Sequence, residues 1–83
     1  MDIVTIFENV VHTAPESIAI FHDGFTVSYR ELNLRANRLA HHLIGLGIKK
    51  GDFVGLYLDR STEFIVGILA ILKAGAGYVP IDL

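Results

Sequence analysis

The sequence predicts an α/β fold: a helix, a β-hairpin, then β-α-β crossovers, giving a mostly parallel sheet flanked by helices. Three observations carry that expectation. Short apolar runs at 18–21, 53–58 and 78–81 alternate with longer stretches whose apolar residues recur at helical spacing. Asp23-Gly24 stands between two apolar runs and supplies the pair of positive-φ residues that a type I′ hairpin needs. Ser28 and Ser61 each precede a helical pattern, where a side-chain oxygen is wanted to accept an orphan amide. Strands joined through helices in this way run parallel, with right-handed crossovers. The final strand runs into Asp82-Leu83 without a turn, a cap or a polar tail, so the set of elements reads as an incomplete piece of a larger body.

Each element has its own local reason. Asp2 caps a first helix whose buried face is Ile3, Phe7, Val10, Val11 and Ala14, and Pro15 stops it because the residue before a proline avoids helical dihedrals. Ile18, Ala19, Ile20 and Phe21 are apolar at every position, as in a strand covered on both faces. The hairpin returns through Phe25-Thr26-Val27. Ser28 and Glu31 form a capping-box pattern, the hydroxyl taking the third amide and the carboxylate reaching back.

The helix they open turns Leu32, Ala36, Leu39, Ala40, Leu43 and Ile44 inward, with Arg30, Asn37, Arg38, His41 and His42 on the wet side. Glu31 and Arg35 lie at i, i+4. One of Gly45 and Gly47 is expected to end this helix in the left-handed conformation. A turn through Lys49-Lys50-Gly51-Asp52 leads into a second buried strand, and Ser61 with Glu63 opens a third helix. That helix is apolar nearly all round: Phe64, Ile65, Val66, Ile68, Leu69, Ile71 and Leu72. Gly75 ends it.

The chain has 83 residues, 52% of them apolar and 19% charged, which is apolar for so small a body. A domain of this size buries only about two thirds of its unfolded surface and is marginal alone. Three or four strands would cover one side of the third helix. The isolated chain is therefore expected to self-associate, to bind a partner across that helix and the open edge of the last strand, or to be partly molten. Net charge is −2 and no basic stripe is present, which argues against nucleic acid. The absence of cysteine excludes a disulfide scaffold and thiolate zinc sites. Asp2 stands where a secretory signal wants a cation, and the run 64–72 is about half of what a bilayer requires, so the expectation is a cytoplasmic protein away from membranes.

Catalytic constellations fare poorly against their physical requirements. Gly45-Leu46-Gly47 followed by Gly51 misses dinucleotide spacing and lies at a helix end, where a glycine is a C-cap. His41 and His42 are adjacent, so on a helix they diverge by about 100° and share no metal. Ser28 and Ser61 lack the Gly-x-Ser-x-Gly elbow, and capping explains both. Asp59-Arg60 follows a strand's C-terminal end, where ligands gather in open sheets; a local ion pair or helix-entry role explains it as well.

At Val27-Ser28-Tyr29-Arg30-Glu31-Leu32 the chain resembles the first core motif of nonribosomal peptide synthetase adenylation domains, Leu-Thr/Ser-Tyr-x-Glu-Leu, with Val27 replacing the usual leucine. Leu72-Lys73-Ala74-Gly75-Ala76-Gly77-Tyr78-Val79-Pro80-Ile81-Asp82 resembles the second motif. Gly77 stands there for the usual alanine, and Leu83 for a common proline. The segments 36–43 and 51–61 are similar to the family too, so the resemblance runs along essentially the whole chain.

That resemblance implies the N-terminal part of an adenylation domain, with no second domain in residues 1–83. The family joins an amino acid to AMP from ATP with Mg and passes it to a phosphopantetheine carrier protein. Its Gly-rich phosphate loop, substrate-pocket residues, ribose-binding aspartate and C-terminal catalytic lysine match no position here. The resemblance therefore implies no catalytic, cofactor-binding or metal residue. Ser28, Tyr29, Glu31, Leu32, Lys73, Gly75, Tyr78, Pro80 and Asp82 are expected to be structural, Lys73 complementing a helix dipole. The expected function is that of a fragment of an amino-acid-activating ligase, inactive and binding no cofactor alone. The expected partners are the remainder of that domain or a second copy, and a carrier protein through the parent enzyme. A stand-alone docking module and one chain of a split enzyme are the alternatives. The amino-acid substrate is not encoded in these residues.

Overall fold

Asp2 begins the first helix, α1 (Ile3–Thr13), by accepting the Thr5 amide on Oδ1 at 2.7 Å. The structure, a computed structural model, describes residues 2–57 and 61–82. The helix stops two residues before Pro15, and the chain enters β1 (Ile18–His22) and β2 (Phe25–Ser28), an antiparallel pair. Asp23 and Gly24 turn the hairpin at φ 50° and 79°, the two left-handed residues of a type I′ turn. Register runs from His22↔Phe25 to Ile20↔Val27 and then slips, so that Ile18 faces Ser28 across a bulge at Ala19.

The hairpin delivers the chain into α2 (Tyr29–Gly45) with its first-turn amides already provided for. The Tyr29 N–H donates to the Ser17 carbonyl at 3.0 Å, the Arg30 N–H to the Pro15 carbonyl at 2.9 Å, and the Glu31 N–H to Ser28 Oγ at 3.1 Å. The Glu31 carboxylate lies toward Arg35, 3.6 Å from its Nε. At the other end Gly47 (φ 101°) donates to the Ile44 carbonyl and Ile48 to the Leu43 carbonyl, the paired bonds of a Schellman cap.

The turn at 49–52 closes with the Lys49 N–H on Asp52 Oδ2 at 2.9 Å and leads to β3 (Phe53–Tyr57). α3 (Thr62–Lys73) follows, capped by Ser61 Oγ on the Phe64 amide at 3.3 Å, and the chain returns as β4 (Gly77–Ile81). β4 pairs parallel with β3, from Phe53↔Gly77 to Tyr57↔Ile81. The expected crossover is therefore present, and among the described residues the hairpin and the parallel pair form separate two-stranded sheets.

The core lies where α1, the hairpin, α2 and α3 converge: Phe7, Val27, Leu32, Ala36, Val66 and Leu69, with Val11, Ala19, Ile20, Tyr29 and Leu39 against them. α3 is better covered than its composition implied. α2 packs along it, β3 and β4 lie across another side, and Val66, Gly67, Leu69, Ala70 and Ile71 are buried. Leu56 of β3 crosses the helix at Gly67, where a Cβ would stand 2.9 Å from Leu56 Cδ1 and the leucine tip would have to shift.

The uncovered apolar surface is instead on the strands. Phe21, Phe25 and Phe53 are each more than 70% exposed, and Ile18, Tyr57 and Val79 also face outward. A strand that is apolar on both faces needs two layers, and these outward side chains have no second layer over them among the described residues. Ile3 and Ile44, expected on buried helix faces, lie near helix ends and are exposed.

Candidate functional site

The two sequence motifs meet around the middle of α1. Tyr29, from the first motif, sets its ring 6.0 Å from that of Phe7, tilted by 41°. Lys73, from the second, places its ammonium 5.7 Å from the centre of the same Phe7 ring and pairs with the Glu8 carboxylate. One short stretch of α1 thus links both motifs, through an aromatic contact on one side and a cation–π contact with an ion pair on the other. The Lys73 side chain is 6% exposed, whereas that of Glu8 is 52% exposed.

Two clefts open beside this junction. One, of about 570 Å³, lies between the first turn of α1 and the C-terminal end of α3, where Leu72, Lys73, Gly75 and Ala76 line it. A smaller one, of about 270 Å³, brings Glu8, Asn37, His41 and Lys73 together with apolar neighbours. Lys73 is the cation common to both, and Glu8 holds it.

The remaining motif residues sit in secondary-structure roles. Ser28 caps α2, and Leu32 is in the core. Gly75 (φ 84°) is the left-handed residue after α3: its N–H donates to the Leu72 carbonyl, and the Ala76 N–H to the Ile71 carbonyl. Its carbonyl accepts the Gly51 amide at 3.1 Å, which ties the turn before β3 to the end of α3. Tyr78 and Pro80 pair with Val54 and Leu56 in the parallel ladder, and Asp82 follows its last residue.

Asp59 and Arg60 lie outside the described residues. Among the described residues no three His, Cys, Asp or Glu side chains gather as a metal cluster would, and no helix is long and apolar enough to cross a membrane. His22 makes a surface pair with Asp23 at 3.3 Å, and His41 and His42 are exposed. What the sequence reading missed is the part played by Phe7 and Glu8. The hint was a lysine at the end of a helix that is apolar from Phe64 to Leu72, which implies a counter-charge somewhere.

The sequence matches the AMP-binding enzyme family over residues 7–83. The chain belongs to that family. Malpinin synthetase of Mortierella alpina is 56% identical over 77 residues, covering 93% of this chain and 1% of that protein. Surfactin synthase subunit 2 of Bacillus subtilis (strain 168) is 46% identical over 82 residues, covering 99% of this chain and 2% of that protein. Among solved structures, the N-terminal subdomain of Klebsiella oxytoca NpsA superposes with a TM-score of 0.90 at 32% identity, over 96% of this chain and 21% of that one. A fused adenylation-PCP di-domain from the same organism superposes with a TM-score of 0.91 at 33% identity, over 95% of this chain and 15% of that one.

Within the AMP-binding family, then, this chain is an N-terminal fragment of a nonribosomal peptide synthetase adenylation domain. It spans 1–2% of those two synthetases and 15–21% of those two solved chains.

Proposed function

We propose that the chain supplies the N-terminal scaffold of an ATP-dependent amino-acid-activating unit and performs no adenylation by itself. Residues 1–83 form one structural part of that unit, with no second domain. The parent enzyme would use ATP and Mg in the cytoplasm and pass the activated amino acid to a phosphopantetheine carrier protein.

The observation that carries this reading is that Ser28, Gly75 and Lys73, from the family's motifs, are engaged in holding elements together. Ser28 Oγ accepts a helix amide, Gly75 closes a helix end, and Lys73 is committed to Glu8 and Phe7. These residues do not fit a nucleotide. A phosphate site wants backbone amides and a free cation at a helix start. The larger cleft has the Asp2 carboxylate at its helix start, already accepting the Thr5 amide.

Amino-acid-dependent pyrophosphate exchange with the purified chain tests the proposal. No exchange above background is expected. Exchange that vanishes in Lys73→Ala would show that the lysine acts on nucleotide, and would overturn the scaffold reading.

A further inference from the structure

We propose that two copies of this chain associate through the edge of β3 that pairs with no other strand among the described residues. The pairing is antiparallel, with Gly55 opposite Gly55 and Phe53 of each copy opposite Tyr57 of the other. The proposal concerns the chain on its own and does not rest on the adenylation reading.

The two edges of the parallel pair are not equivalent. The Gly77 N–H donates to the Asp52 carbonyl at 2.8 Å, and bonding residues alternate along each strand of a parallel ladder. With the register from Phe53↔Gly77 to Tyr57↔Ile81, that phase turns the amides and carbonyls of Val54 and Leu56 toward β4. Those of Phe53, Gly55 and Tyr57 face outward. On β4 the outward residues are Tyr78, Pro80 and Asp82. Pro80 has no N–H, so the β4 edge lacks a donor at its centre and makes a poor template for another strand. The β3 edge has its complete set.

That set is self-complementary. Antiparallel partners exchange both backbone bonds at every second residue, and the outward residues of β3 are spaced by two about Gly55. A twofold axis through Gly55 therefore makes every outward residue a bonding pair with a counterpart in the second copy. It also sets Phe53 beside Tyr57 of that copy on the open face, an aromatic pairing repeated on either side of the axis. These side chains are 77% and 61% exposed. No charged residue lies within β3 to guard the edge.

The chain exposes 5692 Å² at a mass of 9.1 kDa, against about 4,900 Å² for a folded monomer of that mass, and Phe53 and Tyr57 of β3 are among the exposed apolar residues. This redirects the self-association expected from sequence: the edge that associates is that of β3, and α3 is covered within the chain.

Sedimentation equilibrium of the chain over a wide concentration range should show a monomer–dimer equilibrium. Phe53→Lys/Tyr57→Lys should abolish it, since this register sets the new ammonium groups against one another. Phe53→Lys/Tyr57→Glu should retain it through two crossed ion pairs. The chain has no cysteine of its own, so Phe53→Cys/Tyr57→Cys gives an unambiguous cross-link, its Cα atoms about 5.5 Å apart across the axis. Either cysteine alone would lie roughly 14 Å from its copy and should not cross-link. If the double-lysine variant loses its far-UV circular dichroism, cross-linking decides alone. A strictly monomeric chain, a dimer indifferent to the double-lysine substitution, or single cysteines that cross-link as fast as the pair would each overturn the proposal.

Discussion

Glu8→Gln probes the contact that joins the two motifs. The perturbation keeps the size of the side chain and removes its charge, leaving the Lys73 ammonium beside Phe7 without its anion. The two partners are buried unequally: Lys73 is 6% exposed and Glu8 is 52% exposed. A hydrogen bond to a charged group contributes about 1.5–3 kcal/mol. Because solvent screens the half-exposed carboxylate, that range is discounted, to about 1–2 kcal/mol.

Lys73→Met should cost less, within about 1 kcal/mol, because it removes the buried charge together with its need for a partner and keeps an apolar stem against Phe7. Adding Glu8→Gln to Lys73→Met should then change little. The assay is urea unfolding followed by far-UV circular dichroism, with all variants at one protein concentration because association would shift the midpoint. A neutral Glu8→Gln together with a costly Lys73→Met would refute the reasoning. It would mean that the ammonium is held by something other than Glu8.

Two further outcomes concern helix starts. Ser28→Ala should cost about 1 kcal/mol and speed amide exchange at Glu31, while Tyr29 and Arg30 keep their bonds to the Ser17 and Pro15 carbonyls. Loss of protection along all of α2 would show the capping account to be incomplete. Asp2 has its pKa lowered, chiefly by the backbone N–H of Thr5 and also by that residue's side chain. A folded-state pKa below the unfolded one stabilises at higher pH and is lost as pH falls, so α1 should fray below about pH 4. Asp2→Asn should flatten that dependence, and amide exchange along α1 between pH 6 and 3 measures it. Identical profiles for the two chains would refute the cap's contribution.

Helix starts, helix ends and the hairpin were legible in the sequence because their causes are local. Asp2, Ser28 and Ser61 cap the helices they precede, Asp23-Gly24 turns the hairpin, and Gly47 and Gly75 take the left-handed positions. The junction at α1 was not legible, because Lys73 and Glu8 are 65 residues apart and nothing in either one's neighbourhood names the other.

The strands fall between these cases. That Pro80 removes a donor is known from the sequence, but which edge loses it depends on the phase of the ladder, fixed by the bond from Gly77 to Asp52. Likewise, a strand apolar at every position asks for cover on both faces without naming the cover. β3 and β4 receive α3 on one face, while Phe53, Tyr57, Val79 and Ile81 on the other remain exposed, with no further layer over them among the described residues. The pattern in these strands thus describes a thicker assembly than residues 2–82 build, as expected for a segment matching only 15–21% of the two solved adenylation chains it superposes on. The same unmatched strand surface leaves the β3 edge available to a second copy when the chain is alone.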